Sequence, residues 1–122
     1  MADAAIMISW GTAIPGREDM GMGVFMESIQ FWGGLKSNGD IEDFRIYNFA
    51  SGGLSNASGM VSIEGTPEQI NALAAREDYK TLIIKATHIV SDMSIALAET
   101  GDTVMKSVER LQSVRKSLGI KD

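Results

Sequence analysis

Four polar side chains in two neighbouring segments form the best candidate in this sequence for a small-molecule site. They are Arg45 and Tyr47 in one segment and Ser62 and Glu64 in the next. Because alternate residues of a strand share a face, we expect all four on one face of a sheet. A cation, a phenol and a carboxylate amid apolar walls are typical of such sites, and we expect an Arg45–Glu64 ion pair there. The alternative is that cross-strand pairing of these groups only stabilises the sheet.

The segment FASGGLSNASG, residues 49–59, connects these two segments and has the composition of a phosphate-binding loop. A Walker-type loop needs a Lys-Ser/Thr pair that leads into a helix, so that amides and an ammonium converge on the phosphate. This segment has no lysine, and alternating residues of strand type follow it. We therefore predict a hairpin connection, with a mobile lid over a pocket as the alternative.

His88 is the single histidine of the sequence, so its position bears on both catalysis and metal binding. On the helix predicted around it, His88 lies opposite the apolar residues, which favours an exposed or interface role. Adjacent carboxylates occur at residues 18–19, 42–43 and 77–78. Residues next to each other in a helix or a strand do not share a face, so these pairs predict solvated charge and no metal site.

Composition limits the class of protein. A chain of 122 residues with 44% hydrophobic content predicts one globular domain over residues 1–122. The sequence has no cysteine, which excludes disulfides and suits a reducing cytoplasm. A net charge of −5 with scattered basic residues argues against nucleic-acid binding. The apolar start is too short for a membrane span and lacks the basic flank of a signal peptide.

Apolar periodicity predicts four strands. They cover residues 4–10, 41–49, 59–64 and 93–98. In the second and third strands apolar residues alternate with the four candidate site residues, which predicts one face packed on helices and a second face turned away from them.

Helices are predicted between and after these strands. The first begins near Pro15, and Thr66 is the expected N-cap of the second. Residues 79–90 contain many β-branched side chains, yet their apolar residues recur at helical spacing, so we predict a helix there. Asp102 is the predicted cap of a final helix.

The first helix has an unusually broad apolar surface, which predicts burial on more than one side. Its apolar residues are Met22, Val24, Phe25, Ile29, Phe31, Trp32 and Leu35.

The order β-α-β-β-α-β plus a C-terminal helix is that of the ferredoxin-like split βαβ motif, an α+β fold with helices on one sheet face. The other face carries Tyr47, Phe49 and Met60. An apolar sheet face must be covered, and no remaining element of the chain is large enough to cover it. We therefore predict a homodimer joined through the sheet faces.

Two stretches of the sequence resemble bacterial proteins of unassigned function in the dimeric α+β barrel (ferredoxin-like) superfamily. They are GREDMGMGVFMESIQFWGGLKSNGDIEDFRIY and GTPEQINALAAREDYKTLIIKATHIV. The resemblance extends to about Leu97 and rests on Gly, aromatic and acidic positions, not on a catalytic motif. It implies a dimeric barrel. The superfamily includes cofactor-independent oxygenases, haem-degrading enzymes, lactone isomerases and stress-associated proteins.

The sequence is compatible with two functions. The first is a homodimer without a cofactor that binds a small molecule in the barrel interior. The second, implied only by the resemblance, is a cofactor-independent oxygenase or isomerase of the antibiotic-biosynthesis-monooxygenase type. Several enzymes of that superfamily rely on a histidine in or near the barrel, and His88 does not map onto it. An enzyme would also need an acid or base with a shifted pKa in a cavity.

Overall fold

Four antiparallel strands form one sheet in the order β2-β3-β1-β4 in the computed structural model, which describes residues 2–52, 54 and 56–120. The strands are β1 (Ala4–Trp10), β2 (Asp43–Asn48), β3 (Gly59–Gly65) and β4 (Ser94–Glu99). Each predicted strand is present; β2 is shorter than predicted at both ends, and β4 is displaced by one residue. The first strand pairs with both the third and the fourth, which is the connectivity of the split βαβ motif. The predicted α+β fold class is confirmed.

Four helices lie between and after the strands. They are α1 (Glu18–Ser37), α2 (Pro67–Ala75), α3 (Glu77–Thr87) and α4 (Asp102–Ser117). The helix predicted over residues 79–90 is confirmed as far as Thr87. None of these helices in the described part of the chain is long and apolar enough to cross a lipid bilayer.

Two predicted helix starts are wrong. Pro15 precedes α1, which begins three residues later at Glu18. Arg17 is the N-cap, and its backbone is still non-helical. Asp102 is the first residue of α4 and makes no capping hydrogen bond with its side chain. Gly101 occupies the cap position with φ 58°, a conformation that favours glycine.

The start of α2 follows from its sequence. Thr66 Oγ1 accepts a hydrogen bond from the Gln69 backbone N–H at 3.1 Å, and Gln69 Oε1 accepts one from the Thr66 N–H at 2.8 Å. This reciprocal capping box satisfies two N–H groups at the helix end, and Pro67 follows at a position where no N–H is needed. The predicted Thr66 cap is confirmed.

One hydrophobic core lies between the sheet and the helices. Its buried residues include Ile6, Ile8, Val61 and Ile63 from the central strands and Trp32, Leu35, Ile70, Leu73, Tyr79 and Leu82 from the helices. The side chains at alternate positions of β1 and β3 therefore face the helices, as the period of two predicts.

The first half of α1 is not buried in this chain. The buried residues of α1, Trp32 and Leu35, lie in its second half. In the first half Met22 is 63% exposed and Phe25 is 36% exposed. The broad apolar surface of α1 is therefore only partly covered, contrary to the prediction of burial on more than one side. Its glycine-containing first half lies over the open end of the core.

Tyr79 gives the stability a dependence on alkaline pH. Burial raises its pKa above the ordinary value of 10.0. The unfolded chain therefore ionises first, so stability present below about pH 10 is lost as the pH rises toward the folded pKa. We expect Tyr79→Phe to remove part of this loss. Urea unfolding at about pH 9 and about pH 11 measures it, and equal pH dependence in both proteins would contradict the assignment.

Candidate functional site

A cavity of about 280 Å³ lies between the sheet and the helix layer, beneath the first half of α1. Side chains from β1, β2, β3, α1 and α3 line it, together with the segment that joins α3 to β4. The lining includes Ile8, Trp10, Val24, Phe25, Trp32, Val61, Leu82 and Ala86. The volume is close to the lower limit of ordinary ligand pockets.

Aromatic rings form one wall of this cavity. Trp10 and Phe25 meet edge to face, with ring centroids 6.0 Å apart and an interplanar angle of 68°. Gly59 lies opposite Trp10 across the sheet, and a Cβ there would come within 2.9 Å of the indole. The glycine therefore leaves the space in which the Trp10 ring packs toward the helices.

Two polar side chains, Ser28 and Glu18, lie among the described residues that line the cavity, apart from the indoles. Ser28 Oγ donates a hydrogen bond to the Val24 carbonyl at 2.8 Å, so it is already satisfied within α1. Glu18 is exposed at the start of the helix and accepts from the Gly16 N–H at 2.6 Å. The cavity is therefore apolar inside, with one carboxylate at its rim.

The four residues predicted as a ligand site lie together, on the face of the sheet opposite to the cavity. Arg45, Tyr47, Ser62 and Glu64 line a shallow groove of about 430 Å³ on the face that no helix covers. Met7 also lies there, whereas Trp10 faces the helices, which settles the orientation of the first strand. The alternation of the strands thus groups these side chains as predicted.

The predicted ion pair between Arg45 and Glu64 is absent, and the pairing register explains why. Arg45 is directly opposite Ser62, while Glu64 is directly opposite Asp43. Arg45 and Glu64 are therefore diagonal neighbours, which are farther apart than a directly opposed pair. Within the described residues, the ion pairs of this region join Asp43 to Lys36 at 2.9 Å and leave Glu64 without one.

The remaining titratable groups singled out in the sequence are on the surface. His88 is exposed at the end of α3, where its Nδ1 lies 2.9 Å from the Ile84 carbonyl oxygen. The hydrogen bond from Lys36 lowers the pKa of Asp43, and that from Arg76 lowers the pKa of Asp78. No group of three or more His, Cys, Asp or Glu residues in the described part of the chain is placed to hold a metal ion.

The Gly/Ser-rich segment is the connection of the β2–β3 hairpin. The Phe49 N–H donates to the Ser58 carbonyl at 3.0 Å, and the Ala57 N–H donates to the Leu54 carbonyl at 3.0 Å. The next element is strand β3 and not a helix, so the predicted hairpin is confirmed. Gly53 and Ser55 of this segment lie outside the described residues.

The cavity under α1 was not predicted from the sequence. The sequence signal nearest to it is that α1 has more apolar residues than a single helix face can bury. Gly21 and Gly23 lie in the first half of the same helix. Trp10, at the end of the first strand, is the other contributor. Apolar periodicity identifies such residues as core but does not reveal that the core leaves a space among them.

Solved structures show which fold this arrangement belongs to. A dimeric protein of unknown function and ferredoxin-like fold from Bacteroides fragilis NCTC 9343 matches with a TM-score of 0.53 at 10% identity, over 80% of this chain and 96% of its own. The chain has a ferredoxin-like fold.

Two further structures are similar to this ferredoxin-like chain at the same level. A conserved protein from Methanosarcina mazei Go1 matches with a TM-score of 0.55 at 13% identity, over 81% of this chain and 94% of its own. A candidate antibiotic biosynthesis monooxygenase from Deinococcus radiodurans matches with a TM-score of 0.54 at 13% identity, over 84% and 94%. No protein-family model matches the sequence, and no curated protein matches it. Likeness at this identity establishes the fold and leaves the activity to the site.

Proposed function

We propose that this protein is a small homodimeric binding protein that holds an apolar small molecule in the cavity between its sheet and its helices. The observation that carries the proposal is the 280 Å³ cavity with apolar and aromatic walls. Water gains little in an apolar space because it finds no hydrogen-bond partners there, whereas an apolar ligand gains by leaving water. A fold alone would not support this function; the cavity does.

The lining also indicates the class of ligand. Trp10, Phe25 and Trp32 all line the space, and aromatic side chains there favour a flat aromatic or polycyclic ligand. Glu18 at the rim is placed to accept a hydrogen bond from one hydroxyl or amine of that ligand. The exposed first half of α1, with Met22 over the opening, supports entry from that side because methionine adapts its shape to different ligands.

Binding is testable by fluorescence because both tryptophans of the chain line the cavity. We expect 2-naphthol, a flat probe with one hydroxyl, to change the emission of Trp10 and Trp32 in a saturable way. Ala86 also lines the cavity, and Ala86→Phe would fill part of it. We expect this substitution to raise the dissociation constant by about tenfold or more, which corresponds to about 1.4 kcal/mol.

A matched control is Ala72→Phe, which makes the same change at an exposed position of α2 away from the cavity. It should leave the dissociation constant near that of the unaltered protein. Equal affinity in the Ala86→Phe and Ala72→Phe proteins, with both folded by circular dichroism, would contradict the proposal that the probe occupies this cavity.

The groove on the helix-free face is a second candidate site, for a small polar ligand. Arg45, Tyr47, Ser62 and Glu64 supply its polar groups, and a second copy of the chain laid over this face would enclose them. The dimeric protein from Bacteroides fragilis, which shares the fold, supports such an assembly. The absence of cysteine supports a cytoplasmic location.

The alternative function is a cofactor-independent oxygenase or isomerase. Its support is the name of the Deinococcus radiodurans neighbour and the shared fold. Glu18 is the one carboxylate at the cavity and would be the candidate base. Mass analysis of a ligand recovered after incubation separates the two functions, because a binding protein returns it unchanged and an enzyme does not.

A further inference from the structure

Among the described residues, helix α4 is joined to the sheet by hydrogen bonds at its beginning. Thr103 Oγ1 donates to the Asp3 carbonyl at 2.6 Å, and Ser107 donates to the Glu99 carboxylate. None of the α4 residues, all of which the structure describes, is buried. A helix of this length that buries no side chain is marginally stable in water, so it gains stability from a surface that covers it.

The helix carries an apolar stripe suited to such a surface. Val104, Val108 and Leu111 in α4 and Leu118 at its C-cap recur at spacings of three, four and seven residues, so they share one side. Leu111 and Leu118 are each 69% exposed, which leaves the stripe in water in a single chain. The stripe is about 21 Å long at 1.5 Å per residue.

A second apolar surface lies uncovered on the edge strand β4. Ile95 pairs with Ile8 and Leu97 pairs with Ile6, so both project on the side of the sheet that carries the helices. The partners on β1 are buried, yet Ile95 is 44% exposed and Leu97 is 68% exposed. The helix layer therefore stops short of β4 and leaves its apolar side chains bare.

These two surfaces match in length and in charge. A strand of six residues such as β4 is about 20 Å long, close to the length of the stripe. Helix α4 carries four basic and two acidic residues, whereas the 101 residues before it carry six basic and thirteen acidic ones. Strand β4 itself has no basic residue and is flanked by Asp92 and ended by Glu99. Opposite charges of this kind favour association.

We propose that α4 of one copy docks across the helix-side face of β4 of a second copy, and that the two copies exchange these helices reciprocally. Its own α4 does not cover β4 in the single chain, because Thr103 and Ser107 hold the helix at the Asp3 end of the sheet. Pairing of two α4 helices with each other would leave Ile95 and Leu97 exposed. Reciprocal exchange buries the α4 stripe and the helix-side face of β4 in both copies, and it gives a closed two-fold assembly.

The test uses disulfide trapping, for which the cysteine-free chain is well suited. One protein carries Leu97→Cys and the other, with a mass tag, carries Leu111→Cys. Both positions lie near the middle of their surfaces, so the pair meets whichever way the helix runs along the strand. The two proteins are unfolded together, refolded and oxidised. We expect at least about tenfold more tagged heterodisulfide than with Ser113→Cys, which lies on the opposite side of α4.

A second pair, Ile95→Cys with Leu111→Cys, repeats the test if the first variant does not refold. Absence of heterodisulfide from both pairs would overturn the proposal. Self-linked Leu111→Cys chains in place of the heterodisulfide would show that α4 pairs with α4. Sedimentation of the unaltered protein with phosphatidylserine-containing vesicles, lost on Leu111→Glu, would show that a membrane covers the stripe. Either result would also overturn the proposal.

Discussion

Replacing Trp32 with alanine is expected to lower the free energy of unfolding by about 3–5 kcal/mol, the usual cost of removing a large buried aromatic side chain. Trp32 is 3% exposed. The centroid of its ring system lies 5.2 Å from the ring centroid of Phe31 and 6.3 Å from that of Tyr79. It therefore joins α1 to α3 above the sheet. Urea unfolding followed by circular dichroism measures the change, since the substitution removes one of the two fluorescent tryptophans.

The matched control is Phe25→Ala, because Phe25 is also an aromatic residue of α1 and also lines the cavity. Phe25 is 36% exposed, so its loss should cost clearly less than the loss of Trp32. Equal destabilisation by the two substitutions would mean that the first half of α1 is packed as firmly as the second. It would then contradict the view that α1 covers the cavity loosely.

The fold follows from the sequence where one periodicity prevails over several residues. Apolar residues two apart in β3 place Val61 and Ile63 in the core, and helical spacing in α3 outweighs its β-branched content. Helix starts are less secure because they depend on a few local hydrogen bonds. Thr66 was predicted correctly since its partner Gln69 stands at the required spacing, whereas Pro15 fits several local structures and lies outside α1.

The candidate site could be predicted only as far as the faces of the strands. Alternation alone brings Arg45 and Tyr47 onto the same face as Ser62 and Glu64. Their partners depend on the register, which the long connection over residues 49–58 leaves free, and the observed register separates Arg45 from Glu64. The cavity under α1 depends on how closely helices approach the sheet, which no local pattern encodes.

Among the described residues, the proposed assembly covers three apolar surfaces: the helix-free sheet face, the helix-side face of β4 and the stripe on α4. In the proposed exchange the stripe on α4 and the helix-side face of β4 cover each other, whereas the helix-free sheet face needs a separate contact. The helix-free face extends over three strands, with Met7 and Met60 on the two central strands and Tyr47 beside them on β2. A single charge on a central strand of this face should therefore have a large effect on dimerisation.

Introducing a carboxylate at Met7 is expected to dissociate the proposed dimer. Met7 lies on the central strand β1 between Ser62 and Ala96, on the helix-free face. In a single chain the side chain of Met7→Glu reaches water, so the fold should persist. In a dimer joined through this face two such carboxylates would be taken out of water, at a cost of several kcal/mol. A loss of about 3 kcal/mol would raise the dimer dissociation constant by more than about a hundredfold.

Sedimentation equilibrium over a range of protein concentrations measures this constant, and Ile84→Glu is the control. Ile84 is an apolar residue of α3 that is 59% exposed on the helix layer, so the same charge there leaves the sheet face unchanged. We expect Ile84→Glu to remain dimeric where Met7→Glu is monomeric. A Met7→Glu protein as dimeric as the control would show that the sheet faces do not meet. The groove of Arg45, Tyr47, Ser62 and Glu64 would then stay open to solvent and would lose its support as a ligand site.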